Sequence, residues 1–194
     1  MTEIAPGLHR WTAKHEEWQE DVGSLAVETT DGLVLIDPID PPDRFRRPDH
    51  MLLTVYWHNR SARELDAKRV WAPARSAQPL RNRAIEVTDS VRGGDDLPGG
   101  IQAFGTPRAA ELVYWLPEQR ALAVGDVLLG AGAKPRAADT PLRLCPERWL
   151  GKGTHADLRA ALGPLLELPV EHVLVSHGAP VVGDGAEALR RLLN

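Results

Sequence analysis

Disulfide chemistry is missing from this chain, whose 194 residues include a single cysteine, Cys145. One Cys excludes an intramolecular bridge and any CxxC metal knuckle. With prolines nearby and no identifiable base, it reads as an inert thiol. A concentrated basic face is missing too. Lys and Arg number 23 against 27 Asp and Glu, the net charge is −4, and the two signs are interspersed, which argues against nucleic acid as a partner. The densest basic cluster, Arg44, Arg46 and Arg47, is broken by Pro48 and Asp49 and reads as a solvated loop. No apolar run approaches the roughly 20 residues needed to cross a bilayer. The first ten residues lack a basic segment followed by an apolar one. The expectation is a soluble cytoplasmic protein with no membrane partner. Phe and Tyr are scarce at two each, but Trp is not, with six. The hydrophobic share of 43 % is enough for a core, and the length suits one domain spanning 1–194.

Apolar runs at 22–29 and 33–36 flank Asp31 and Gly32, a pair suited to a type I′ hairpin turn because Gly tolerates positive φ. The second run stops at Asp37-Pro38, where a carboxylate serves more often as a turn-maker than as a functional group. After a run at 51–55, Ser61 and Glu64 have capping-box spacing. Glu64 and Lys68 sit at i and i+4, which predicts a short helix reaching about Arg69. A strand at 70–72 then completes a strand–helix–strand crossover. Runs at 101–104, 112–116 and 121–124 make the middle β-rich, and the Gly- and Asp-rich stretch 92–100 reads as a loop between halves. Thr154 and Asp157 repeat the capping spacing. Leu158, Ala161, Leu162, Leu165 and Leu166 follow as an apolar helical stripe. A strand at 173–175 ends at Ser176-His177-Gly178, and a last helix takes in 186–193. Two β-rich groups, each followed by helix, imply two sheets with helices outside.

Six blocks now carry a resemblance: Leu33 to Pro38, Leu52 to Thr54, Val70 to Ala74, Leu112 to Pro117, Ala123 to Asp126 and Val173 to Gly178. In this order they look like the metallo-β-lactamase superfamily over nearly the whole chain. The resemblance implies an α/β fold of α+β type, a four-layer αββα sandwich with its metal site where the loops of the two sheets meet. The family's H-x-H-x-D-H motif follows the strand that ends in Leu-Thr. Its side chains help to hold two metals that activate a water. Here that stretch reads Val55-Tyr56-Trp57-His58-Asn59-Arg60. Aligned without gaps, Val55, Trp57, Asn59 and Arg60 replace the ligands, and His58 falls on a spacer. Gly105 to Ala109 occupies the place of the mid-chain His. Asp126 and His177 match, two of seven usual positions.

The resemblance therefore implies a degenerate site, with Trp57, His58, Arg60, Asp126 and His177 as candidate binding residues. Asp126 and His177 are either a residual metal pair or a hydrogen-bonded couple. Arg60 is expected to project to the second metal's place and pair bidentately with Asp126, or else to point to solvent. His58 either joins Asp126 and His177 after a small register shift or is an ordinary, partly exposed histidine. The acidic run around His15, Glu16, Glu17, Glu20 and Asp21 reads as a solvated face or, with Trp11 and Trp18 interspersed, as a lid or contact surface. His9, His50, His155 and His172 have no partners at metal-ligand spacing. The primary expectation is a non-catalytic pseudoenzyme that binds a small molecule or protein and needs no cofactor. The alternative is a hydrolase holding zinc or another divalent metal at a rearranged site on Asp126 and His177. A scaffold with a filled cleft is the third reading, though nothing indicates a homo-oligomer.

Overall fold

The computed structural model describes residues 1–135 and 140–194. Seven strands form one sheet in chain order: β1 (Thr2–Ala5), β2 (Leu8–His15), β3 (Glu20–Thr29), β4 (Gly32–Ile36), β5 (His50–Leu52), β6 (Arg69–Pro73) and β7 (Asp89–Val91). β1 to β4 are antiparallel, and β4 to β7 are parallel. The second sheet uses β8 (Gln102–Gly105), β9 (Leu112–Leu116), β10 (Ala121–Val124), β13 (His172–Val175) and β14 (Val181–Val182), in the order β14-β13-β10-β9-β8. β11 (Leu128–Gly130) and β12 (Leu142–Leu144) make a separate antiparallel pair. The α-helices are α1 (Ala77–Arg81), α2 (His155–Leu162) and α3 (Gly185–Leu193).

Period-two alternation assigns each strand's faces. Leu25, Val27, Val34, Ile36 and Leu52 meet Leu112, Tyr114, Leu116, Ala123 and Leu174 between the sheets. The intervening residues face outward. Ala26 and Leu35 pack with Trp11 and Phe45, while Met51, Val70 and Ala72 pack against Leu80 of α1. On the other side Val113, Trp115, Leu122, Val124, Val173 and Val175 pack on Leu158 and Leu162 of α2 and Leu189 of α3. The result is the expected helix–sheet–sheet–helix order. Each fully buried aliphatic contributes about 1.5–3 kcal/mol. Tyr114, fully buried between the sheets, donates its hydroxyl to Leu53 O at 2.9 Å, so this large interior side chain leaves no polar atom unpaired.

Several expectations need correction. No helix runs from Ser61 to Arg69. A single 3-10 turn covers Ala62–Glu64, and Leu65 is extended (φ −102°, ψ 139°). Leu65 turns inward onto apolar neighbours, and the Lys68 ammonium pairs with Asp49 at 2.6 Å instead of Glu64. The hairpin at 30–31 is not type I′. Thr29 pairs with Gly32, and only Gly32 has positive φ there. The acidic N-terminal run is not simply a solvated face, since it forms the β2–β3 hairpin and leans over the cleft described below. Thr154 does cap α2, accepting from Asp157 N at 3.1 Å while Asp157 accepts from Thr154 N at 2.8 Å. No helix among the described residues is long and apolar enough to cross a membrane.

Candidate functional site

The parallel strands deliver the site. β4, β5, β10 and β13 each run into a loop at the same edge of the sandwich, the usual place for function in parallel sheets. Asp37 follows β4, His58 lies in the turn after β5, Asp126 follows β10, and His177 follows β13. Main-chain contacts seal the seam between the sheets there. Gly23 N donates to Ser176 O at 2.7 Å and Leu112 N to Thr54 O at 2.9 Å.

Of the two readings of His58, the one that joins it to Asp126 and His177 fits the structure: it is central and 3 % exposed. The turn Tyr56–Asn59 is kinked at His58 (φ −82°, ψ 22°), which swings the ring inward. Its Nδ1 lies 2.8 Å from Asp37 Oδ2 and its Nε2 3.0 Å from Asp126 Oδ1. Burial opposes its charge, but Asp126 and Asp37 outweigh that and lift it to about 9, against the repulsion of Arg60. Asp37, expected to be a turn-maker, is a site residue. Its carboxylate also accepts from Thr54 N at 2.8 Å and from Thr54 Oγ1. Its positive φ of 48° aims it there.

Asp126 gathers the rest. Oδ1 meets His58 and, at 3.2 Å, His177 Nε2. Oδ2 accepts from Trp57 Nε1 at 2.7 Å and lies 3.6 Å from Arg108. Burial would raise the carboxyl, yet His58 and His177 hold it well below the usual carboxylate range. His177 Nδ1 faces Glu20 at 3.7 Å. Burial lowers its basicity, and the bonds to Asp126 and Glu20 raise it on balance. Behind Asp126 stands Glu111, only 1 % exposed. Its Oε1 accepts from Asp126 N at 2.6 Å and Val127 N at 2.9 Å, and its Oε2 pairs with Arg108 at 3.0 Å. Burial and the charge of Asp126, opposed by Arg108, bring Glu111 to about 7. The glycine of the Gly-Asp block is required, because a Cβ on Gly125 would stand 2.7 Å from Thr54 Oγ1 and 2.8 Å from Glu111 Oε1. No motif spacing marks Glu111 in the sequence, and Glu20 reads there only as part of the acidic run.

Arg60 points inward but does not pair with Asp126. Nη1 donates to Gly23 O and Asp37 O, both at 2.8 Å, and Nη2 donates to Ser176 Oγ at 2.5 Å. Three acceptors in the seam between the sheets compete for the guanidinium, and Trp57, His58 and His177 already occupy the Asp126 oxygens. Trp57 is likewise in the site. Cys145 is buried and its thiol is pushed up to about 12 by burial, so it stays inert.

Donor atoms of His58, Asp126 and His177 all lie within 4.8 Å of one another. Two imidazoles and one carboxylate are a donor set that suits a divalent transition metal with a position left open. Each donor also has a group behind it, as bound metals require. Asp37 backs His58, Glu20 faces His177, and Trp57 holds the outer oxygen of Asp126. The residues present therefore fit one metal. The open side faces a cleft of about 450 Å³, so the cleft is not filled by the protein's own side chains.

The architecture is the metallo-β-lactamase fold. A metallo-β-lactamase from Pontibacter korlensis superposes with a TM-score of 0.66 and 17 % identity, over 99 % of this chain and 97 % of that one. A mono-zinc metallo-β-lactamase from Pseudomonas aeruginosa gives 0.67 and 16 %, over 99 % and 93 %. The metal-soaked flavodiiron core of Flv1 from Synechocystis gives 0.68 and 18 %, over 98 % of this chain and 59 % of that one. No protein-family model and no curated protein sequence matches the chain.

Proposed function

We propose that the chain is a hydrolase working with one divalent metal, zinc by preference, at a rearranged site of His58, Asp126 and His177. The observation that carries this reading is the convergence of three donors, each with its own supporting group. The placement of His58 shifts the balance from the non-catalytic reading towards this one. A metal there would supply Lewis acidity and a water acidic enough to act near neutral pH. The chain's own residues do the positioning. Asp37 fixes the His58 ring so that Nε2 faces Asp126. Glu111 holds the main chain of Asp126 and Val127. Arg60 places a fixed positive charge beside Asp37, and Asp126 is the only carboxylate among the three donors, so the site suits one cation and not two.

Metal titration of chelator-stripped protein, with elemental analysis, tests the proposal. One equivalent of zinc should bind, and His58→Ala and His177→Ala should each weaken it by at least about tenfold. A folded wild-type chain that takes up no zinc, iron or manganese would overturn it. A second reading, a metal-free binding protein, is favoured by one observation: Asp126 is already fully hydrogen-bonded by the protein.

A further inference from the structure

From the cleft walls we propose that the molecule bound here is a carboxylate with a flat, apolar body, its anion held at Arg83 and its body lying on Trp18. This deepens the hydrolase reading by naming its substrate class, but the binding itself stands on other residues. Three indoles face the cleft: Trp18, Trp57 and Trp149. Two are committed. Trp57 donates to Asp126 and lies under Arg108, whose Cζ is 5.1 Å from its ring centre. Trp149 packs against the outer apolar core and meets Trp18 edge to face at 6.1 Å and 85°.

Trp18 is different. It stays 43 % exposed, one of few large apolar side chains left so among the described residues, yet it is not loose. Lys134 Nζ donates to both Trp18 O and Gln19 O at 3.1 Å, and the ring also packs 5.9 Å from His177. An indole anchored from behind and open in front costs little further ordering when a flat ligand covers it.

The charge on the wall points the same way. Arg60, Arg83 and Arg108 line the cleft against Glu17 and Asp126. Arg60 and Arg108 are spent on protein partners. The Arg83 guanidinium lies 5.1 Å over the Tyr56 ring and, among the described residues, donates only to Pro79 O and has no carboxylate partner. A guanidinium held flat on a ring still offers its remaining N–H groups as a fork to a carboxylate. Among the described residues Glu17 is the lining carboxylate without a hydrogen-bond or ion-pair partner, and it would repel such a ligand.

Calorimetric titration with naphthylacetate, its uncharged amide and acetate tests this, on both the metal-stripped and the zinc-loaded chain. Naphthylacetate should bind about tenfold tighter than either comparison compound, the effect of one charged hydrogen-bond pair or one apolar contact. Arg83→Ala should reduce the acid to the level of the amide. Trp18→Ala should weaken acid and amide alike, and Glu17→Gln should strengthen the acid alone. Equal binding of acid and amide, no binding of the acid, or an Arg83→Ala chain that still discriminates would each overturn the proposal. Discrimination by a chain that never takes up zinc would sink only the hydrolase reading. Zinc uptake without discrimination would sink only this one.

Discussion

His58 sits between two carboxylates, so in the metal-free chain its proton stabilises the fold. Its value rises from 6.5 to about 9 on folding. A raised value means that the contribution is complete below 6.5 and disappears as pH climbs through 9. His177 shifts in the same direction and adds to the loss, whereas Glu111, raised from 4.5 to about 7, gives up its contribution earlier, between those two values. Asp126 shifts the opposite way, so its contribution is present above its ordinary value and fades only in acid. Urea unfolding of chelated protein should show stability falling by a few kcal/mol between about pH 6.5 and pH 9. His58→Gln should flatten that slope, and an unchanged slope would remove His58 as its cause. Zinc must displace the same proton, so its affinity should increase over that interval, with proton release measurable in buffers of different ionisation enthalpy.

Loops and turns at strand ends carry Asp37, His58, Asp126 and His177, and a glycine contact shows how little slack they have. A Cβ on Gly130 would lie 2.0 Å from Ala179 O, and Gly130 N donates to His177 O at 2.9 Å. Gly130→Ala should push the loop after β13 and weaken zinc binding markedly. Thr154→Ala, at the cap of α2, should cost about 1 kcal/mol while leaving zinc affinity unchanged. Comparing unfolding and zinc titration for the two variants separates local site geometry from general stability. The same contrast explains what could be read beforehand. Asp126 and His177 were legible because their Gly-Asp and Ser-His-Gly blocks match ligand positions of the family the sequence resembles. The layers were legible because two β-rich groups are each followed by helix; the alternation of Leu25, Ala26 and Val27 between two cores came only with the structure. His58 was legible only as one of two alternatives, because a gapless alignment counts positions, whereas the kinked turn after β5 decides which ring faces inward. Asp37 was hidden by its left-handed backbone, and Arg60 was given the right neighbourhood but the wrong partner.

The whole molecule places its site on a seam. Asp37 and His58 belong to the first sheet's loops and Asp126 and His177 to the second's, so a bound cation would cross-link the two sheets. Zinc at a hundred times its Kd should therefore stabilise the native state by about 2.7 kcal/mol, read as a higher melting temperature that His177→Ala abolishes. Arg60 has a kinetic consequence as well. Its bond to Ser176 spans 116 residues and that of Arg10 to Gly178 spans 168. A chain must close such loops before these contacts return any energy, and folds dominated by distant pairings are slow, on the scale of milliseconds to seconds. The seam should be among the last regions to gain protection in pulse-labelled hydrogen exchange, after the β2–β3–β4 meander. A newly folding molecule would thus expose the edges of both sheets for longer than it exposes either hairpin, and that interval is when copies of the chain are most prone to pair with each other.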